Sequence, residues 1–111
     1  MNKWIIFVTF IIMSFGFVSG CTQQQTPPIV TNTITIKNSA FIPSNITITA
    51  GQNVTWINED SVPHQVKGEN GLFLSDTLSN GQTFTYWFNT TGTYNYICNI
   101  HQFMKGTIIV K

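Results

Sequence analysis

The run Cys98-Asn99-Ile100-His101-Gln102-Phe103-Met104 places a thiol, an imidazole and a thioether within seven residues, just before the last strand-like segment of the chain. The only other histidine is His64, in Val62-Pro63-His64-Gln65-Val66. If residues 1–20 are removed, as argued below, Met104 is the only methionine left and Cys21 is the only cysteine besides Cys98. No other residue therefore competes for the roles that these four side chains can take.

Two imidazoles and one thiolate in a plane, with a weak and distant thioether, form the ligand set of a blue-copper site. Soft sulfur ligands favour copper over magnesium, calcium or manganese, and the set differs from the tetrahedral thiolate sites typical of structural zinc. Zinc remains an alternative occupant, because affinity alone does not enforce selectivity. We predict one type 1 copper per chain, bound by the following residues: His64, Cys98, His101 and Met104.

Each of these residues has an ordinary structural role when it is considered alone. A single cysteine is commonly a small buried hydrophobe, and a single methionine commonly fills a core. His64 follows a proline and could be a turn residue, and His101 could be an exposed loop residue. The four residue types together, at this spacing, favour a metal site.

The first residues of the chain predict export. Met1-Asn2-Lys3 precedes an apolar run, Trp4 to Val18, that is short for a transmembrane helix and suits a signal peptide. We assign residues 1–20 to this peptide. Val18-Ser19-Gly20-Cys21 resembles the lipobox of prokaryotic lipoproteins, in which cleavage before the cysteine accompanies lipid attachment to it. Two alternatives are cleavage by an ordinary signal peptidase and an uncleaved anchor.

Residues 21–31 are predicted to be a lipid-anchored linker, because Thr22 to Pro28 is rich in Gln, Thr and Pro and poor in apolar residues. The lipid on Cys21 would hold the protein at the periplasmic or extracellular face of a membrane. Once Lys3 is lost, four lysines balance four acidic residues, so no basic surface indicates nucleic acid as a partner. We expect a monomer.

Residues 32–111 alternate apolar and polar positions with the period of β-strands, and no segment shows a helical period. Short strands separated by turn residues predict an all-β sandwich or barrel. The predicted strands are Asn32–Lys37, Asn45–Ala50, Asn53–Asn58, His64–Lys67, Leu72–Leu74, Gln82–Phe88, Gly92–Cys98 and Gly106–Lys111. The predicted inward positions are Ile34, Ile36, Phe41, Ile46, Ile48, Val54, Trp56, Phe84, either Trp87 or Phe88, Tyr94, Tyr96, Ile108 and Val110.

Three motifs carry a family resemblance: Phe41-x-Pro43, Gly51-x-x-Val54-x-Trp56-x-Asn58-x-Asp60-x-x-Pro63-His64 and Gly92-x-Tyr94-x-Tyr96-x-Cys98-x-x-His101-x-x-Met104-x-Gly106. Together they resemble a cupredoxin of the plastocyanin and amicyanin group over nearly all of the predicted domain. The two-residue gap between His101 and Met104 is similar to the short ligand loop of amicyanins, whereas plastocyanins carry a longer one.

The resemblance implies an antiparallel Greek-key sandwich of about eight strands. It also implies that His64, Cys98 and His101 are the strong copper ligands and that Met104 is the axial one. Two positions depart from the family pattern. Gln65 stands where an asparagine commonly ties the two ligand loops together, and Ile100 stands where a proline commonly precedes the second histidine. These changes affect groups that tune the redox potential of a metal, and they remove no ligand.

The resemblance further implies a small blue-copper electron carrier that docks with redox proteins through an apolar patch around His101. Phe103, Ile100 and Pro63 are candidate patch residues, with core packing as the alternative for Phe103. We do not expect an enzyme, because the chain offers no nucleophile–base pair and its four acidic residues fall in predicted loops as solvated turn residues. Two other functions stay open: a copper-buffering or copper-delivery lipoprotein, and an anchored structural or adhesive sandwich.

Overall fold

The computed structural model describes residues 32–111. The predicted signal peptide, lipid-bearing cysteine and linker lie outside these residues. The described part contains eight strands and one 3-10 turn, Glu69–Gly71, and none of its helices is long and apolar enough to span a membrane. The strands are β1 Asn32–Lys37, β2 Ala40–Ile42, β3 Asn45–Ile48, β4 Gln52–Asn58, β5 Val66–Gly68, β6 Thr83–Phe88, β7 Gly92–Cys98 and β8 Lys105–Val110.

The strands form two four-stranded sheets, in the orders β2-β1-β4-β6 and β3-β8-β7-β5. This confirms the predicted all-β sandwich of about eight strands. The implied antiparallel pairing holds for four of the six strand pairs, whereas β1 pairs with β4 and β3 pairs with β8 in parallel. These pairs are joined by chain that leaves for the other sheet and returns, and such crossovers produce parallel neighbours where hairpins produce antiparallel ones.

Strand β4 and its neighbours define the two ends of the sandwich. Strand β1 runs parallel to β4, and Asn32 lies beside Val54. Strand β1 therefore begins at one end of the sandwich, and β4 finishes at the other end. Strand β7 finishes at Cys98, on the same end as the loop that follows β4. We call these two ends the Asn32 end and the Cys98 end.

The core lies between the sheets, and five of its fifteen buried apolar residues are aromatic. Trp56 is fully buried, and its ring centroid lies 5.3 Å from that of Tyr96 and 5.5 Å from that of Phe73. Period-two alternation identified most inward positions, although Ile46, Phe84 and Tyr94 are only partly buried. Of the two candidates on β6, Phe88 is the inward residue and Trp87 is 56% exposed. The pattern missed the following buried residues: Val66, Phe73 and Leu78.

Two predicted strands differ from the observed ones in the connection between β4 and β6. His64 forms only an isolated bridge with Leu78, so the predicted strand His64–Lys67 begins at Val66 instead. The predicted strand Leu72–Leu74 is absent from the described residues and is replaced by a bridge between Leu74 and Lys67. A further difference lies between β1 and β3, where the three-residue strand β2 was not predicted. Bridges of this kind are too short to impose the period of a strand.

Candidate metal centre

The four predicted ligands come from two connections that meet at the Cys98 end. His64 is held in the loop after β4 by two backbone hydrogen bonds with Leu78, one donated by each residue, of 3.0 and 2.7 Å. Cys98 is the last residue of β7. The Met104 N–H donates to the His101 carbonyl at 2.9 Å, and the Cys98 N–H donates to the Met104 carbonyl at 3.1 Å. This closed turn brings three of the predicted ligands into one short loop.

The donor atoms of three of these residues form a nearly equilateral triangle. Cys98 Sγ lies 3.7 Å from His64 Nδ1 and 3.9 Å from His101 Nδ1, and the two Nδ1 atoms are 3.3 Å apart. Atoms at these separations are all about 2.1 Å from a common point, which matches the about 2.0–2.1 Å of zinc–imidazole bonds and approaches the about 2.3 Å of zinc–thiolate bonds. A first-row metal ion therefore fits between them.

The donor set also selects the kind of metal. Among the described histidine, cysteine and acidic residues, His64, Cys98 and His101 form a group whose ligand atoms all lie within 4.8 Å of one another. Met104 is 3% exposed and is linked through its backbone to two members of the group. Two imidazoles, one thiolate and a neighbouring thioether suit copper that cycles between two oxidation states.

Asp60 fixes the orientation of the His64 ring. His64 Nε2–H donates to Asp60 Oδ2 at 2.8 Å, which leaves Nδ1 free to face Cys98. The same carboxylate accepts backbone hydrogen bonds from Asn38 at 2.9 Å and Ser39 at 2.8 Å. The Ser39 N–H, followed by the His64 ring, lowers the pKa of Asp60 below its usual value. The prediction that Asp60 is merely a solvated turn residue was wrong, because periodicity cannot show that a loop folds back onto a histidine.

Asn58 and Ser75 shape the same loop, and the sequence reasoning assigned them no role at the site. The buried Asn58 side chain donates to the carbonyls of Val62 and Leu78 at 3.0 and 2.7 Å, and its Oδ1 accepts the Asp60 N–H at 2.8 Å. Ser75 Oγ accepts the Val66 N–H at 2.9 Å. The only sequence signal was the position of Asn58 at the end of a strand within the quoted motif.

Gln65 connects the two ligand loops despite its departure from the family pattern. Asn99 Nδ2 donates to Gln65 Oε1 at 2.9 Å, and the Asn99 N–H donates to the Gln65 carbonyl at 2.8 Å. Gln65 Nε2 also donates to the Ser75 carbonyl at 2.8 Å. The longer glutamine side chain therefore supplies the connection that an asparagine would supply in the family.

One side of the site is buried in the protein, and the other side is exposed and apolar. His64 and Cys98 are fully buried, whereas His101 is half-buried and its ring centroid lies 6.0 Å from that of Phe103. Phe103 is 70% exposed, which excludes the core-packing alternative for this residue. Exposed apolar residues that lie next to His64 or His101 along the chain, or within two residues of them, are Val62, Pro63, Ile100 and Phe103.

The chain is similar to known proteins in both sequence and fold. A family model described as a cupredoxin-like domain matches residues 6–110. Amicyanin-alpha of Methylorubrum extorquens is 35% identical over 92 residues, which cover 78% of this chain and 77% of the relative. Plastocyanin of Scenedesmus fuscus is 42% identical over 84 residues, covering 64% of this chain and 86% of the relative. The solved structure of a purple cupredoxin from Nitrosopumilus maritimus superposes with a TM-score of 0.69 at 31% identity, covering 72% of this chain and 99% of that one. The chain therefore belongs to the cupredoxin-like family, and its predicted likeness to amicyanins and plastocyanins is confirmed.

Proposed function

We propose that the protein is a small blue-copper electron carrier that passes single electrons between redox proteins at the outer face of a membrane. Its amicyanin and plastocyanin relatives are small blue-copper electron carriers rather than enzymes, and this is the class of function predicted from the sequence. The observation that carries the proposal is the triangle of donor atoms from His64, Cys98 and His101.

One bound copper would supply a Cu(I)/Cu(II) couple, and the chain would supply a site that changes little between the two states. Cys98 is fixed by the end of β7, and His64 is fixed by its bridge to Leu78 and by the hydrogen bond to Asp60. Metal-bound histidines are commonly oriented by such carboxylates. Met104 is the proposed axial ligand because its side chain is buried and the loop closes through its backbone.

Partner docking is proposed at the apolar patch around His101, which consists of Val62, Pro63, Ile100 and Phe103. His101 is the most exposed of the four proposed ligands, so electrons would enter or leave through its ring edge. Exposed contiguous apolar residues commonly mark an interaction site. The described surface has few charges, so association would depend on apolar contact more than on electrostatic steering.

The alternative, a protein that buffers or delivers copper, shares the same ligands but needs ready exchange of the metal. Complete burial of His64 and Cys98 favours retention over exchange. Protein-film voltammetry should show a reversible one-electron couple, and a Cu(I) chelator should remove copper slowly. Irreversible voltammetry together with rapid transfer of copper to the chelator would support the alternative instead.

The docking patch can be tested separately from the copper site. Phe103→Ser should slow electron exchange with a redox protein while leaving the visible spectrum unchanged. Ile42→Ser is the matched control, because Ile42 is 51% exposed but lies on β2, outside the patch. An equal effect of the two substitutions would contradict docking at this patch.

Export and anchoring complete the proposal. The proposed leader at residues 1–20 and the sequence Val18-Ser19-Gly20-Cys21 support a lipoprotein held through Cys21, and we expect it to be a monomer. Mass spectrometry of the protein extracted from membranes should show an N-terminal cysteine that carries lipid. An unmodified Cys21, or a retained leader, would contradict this part of the proposal.

A further inference from the structure

The two ends of the sandwich differ in charge. Residues 32–111 carry eight charged side chains, and only Lys111 lies at the Asn32 end. Glu69 lies halfway along the sandwich, where it accepts a hydrogen bond from Asn95. The remaining charged residues lie toward the Cys98 end: Lys37, Glu59, Asp60, Lys67, Asp76 and Lys105. The Asn32 end is therefore almost uncharged.

An apolar patch lies toward the Asn32 end, and electron transfer at the copper site does not explain it. Trp87 and Leu72 are 56% and 41% exposed. Together with the half-buried Tyr86 and Tyr94 they line a hollow of about 200 Å³, and we call these four residues the Trp87 patch. Their uncharged neighbours in the hollow are Asn89 and Thr90.

The described chain begins beside this patch. Asn32 Nδ2 donates to the Asn53 carbonyl at 3.1 Å, and Asn53 is the register partner of Trp87. Two strand spacings, about 10 Å, therefore separate the start of β1 from Trp87. Residues 22–31, which join Cys21 to Asn32, span at most about 35 Å when fully extended.

We infer that the Asn32 end of the domain rests on the lipid surface, with the Trp87 patch at the level of the lipid headgroups. The inference rests on the proposed anchor at Cys21, which would hold this end near the bilayer. Tryptophan and tyrosine favour the membrane interface, and an uncharged end avoids the cost of removing ions from water. Lys111 would be attracted to anionic lipids.

This orientation directs the Cys98 end away from the membrane. His101 and Phe103 would then face the aqueous phase, where a soluble redox protein can reach them. An anchor that allowed free rotation would present the docking patch for only part of the time. The Trp87 patch would thus act as a positioning surface for the electron-transfer edge.

Tryptophan quenching in vesicles tests the contact directly. The full-length protein, in its reduced state, is reconstituted into phosphatidylcholine–phosphatidylglycerol vesicles whose acyl chains carry bromine. The difference between the parent protein and Trp87→Phe isolates the emission of Trp87 from that of the buried Trp56 and, where the leader is retained, from that of Trp4. We expect the Trp87 emission to be quenched by the brominated lipid. In the double variant Trp87→Phe, Phe103→Trp, the new tryptophan at the Cys98 end should not be quenched.

The outcomes separate this inference from the proposed anchor. Mass spectrometry of the same sample reports whether Cys21 carries lipid. The quenching measurement does not depend on how the chain is held in the vesicle. Unquenched Trp87 in vesicle-bound protein, or equal quenching at positions 87 and 103, would overturn the inference even if Cys21 carries lipid. Protection of Trp87 from acrylamide without vesicles would also overturn it, because the patch would then be covered by the chain's own linker.

Discussion

The side chain of Asn99 donates a hydrogen bond of 2.9 Å to Oε1 of Gln65, and the backbones of the two residues are joined by a second bond of 2.8 Å. One residue directly follows the proposed ligand His64 and the other directly follows the proposed ligand Cys98. The separation of the two ligand loops is therefore set by a pair of residues that do not contact the metal. The next four predictions concern this contact and three other residues that lie against their neighbours in the described fold.

Gln65→Ala removes the hydrogen bond from Asn99 and the one that Gln65 donates to Ser75. Each net hydrogen bond is worth about 0.5–1.5 kcal/mol, so we expect a loss of roughly 1–3 kcal/mol in the free energy of unfolding. The EPR spectrum of the copper form should also change. Gln52→Ala is the control, because Gln52 Oε1 accepts the Thr49 N–H in a turn at the Asn32 end. An unchanged EPR spectrum in Gln65→Ala would contradict the loop-tying role.

Asp60→Asn tests the orientation of the first histidine. The amide retains the shape of the carboxylate but loses its charge, so it holds the His64 N–H less strongly. Loss of such a partner commonly costs about 10- to 100-fold in metal affinity. Competition with a chelator measures this change. Glu59→Gln, at the exposed neighbouring residue, should leave the affinity unchanged, and an equal loss in both variants would argue against a specific role for Asp60.

Gly106 has no room for a side chain because the ring of Tyr96 lies against it. A Cβ at position 106 would overlap the Cζ and hydroxyl oxygen of Tyr96. Gly106→Ala should lower the free energy of unfolding by about 1–3 kcal/mol, the usual cost of overpacking. Chemical denaturation measures the loss. Adding Tyr96→Leu should relieve the clash, so the double variant should be more stable than the sum of the single effects implies. Strict additivity would contradict the contact.

Tyr96 should ionise late when the folded protein is titrated with base. Burial raises its pKa to about 12, and the nearby Trp56 indole offsets this only in part. The folded state therefore keeps the proton that the unfolded state loses near pH 10. Ionisation of Tyr96 does not change the free energy of unfolding below that pH. Above it, the free energy of unfolding should fall by up to about 1.4 kcal/mol per pH unit until the pKa of the folded state is reached.

Ultraviolet absorbance of the phenolate, followed against pH, measures this late step. Tyr96→Phe should remove it and flatten the alkaline loss of stability. Tyr94→Phe, two residues away on the same strand, is the matched control and should retain the late step. A late step that survives Tyr96→Phe would show that another group carries the raised pKa.

The sequence predicted the fold where one physical signal dominated. Strands β1 and β7 were predicted with their observed bounds, because alternation and flanking turn residues agree there. Alternation could not choose between Trp87 and Phe88, since one shift in register exchanges the two faces of a strand. It also could not find β2 or the bridges around Leu74, which depend on contacts between distant parts of the chain.

At the site, the sequence was sufficient to select candidate ligands but not the residues that support them. The rarity of histidine, cysteine and methionine was enough to select the four candidate ligands, three of which the structure brings together as a triangle. The supporting groups Asn58, Asp60 and Ser75 are common polar residues, and only the folded loop shows which hydrogen bonds they make. Gln65 departs from the family pattern, and only the folded structure shows its role, because Asn99 lies beside it there.

A copper titration of the purified, metal-free protein tests the central claim most directly. Cu(II) is added stepwise while visible absorption and EPR are recorded, and the sample is then reduced with ascorbate and reoxidised. We predict an intense blue thiolate band that saturates at one copper per chain, cycles reversibly and is absent from Cys98→Ser. Tight binding without that band, or a band that survives Cys98→Ser, would contradict the assignment of a type 1 copper site.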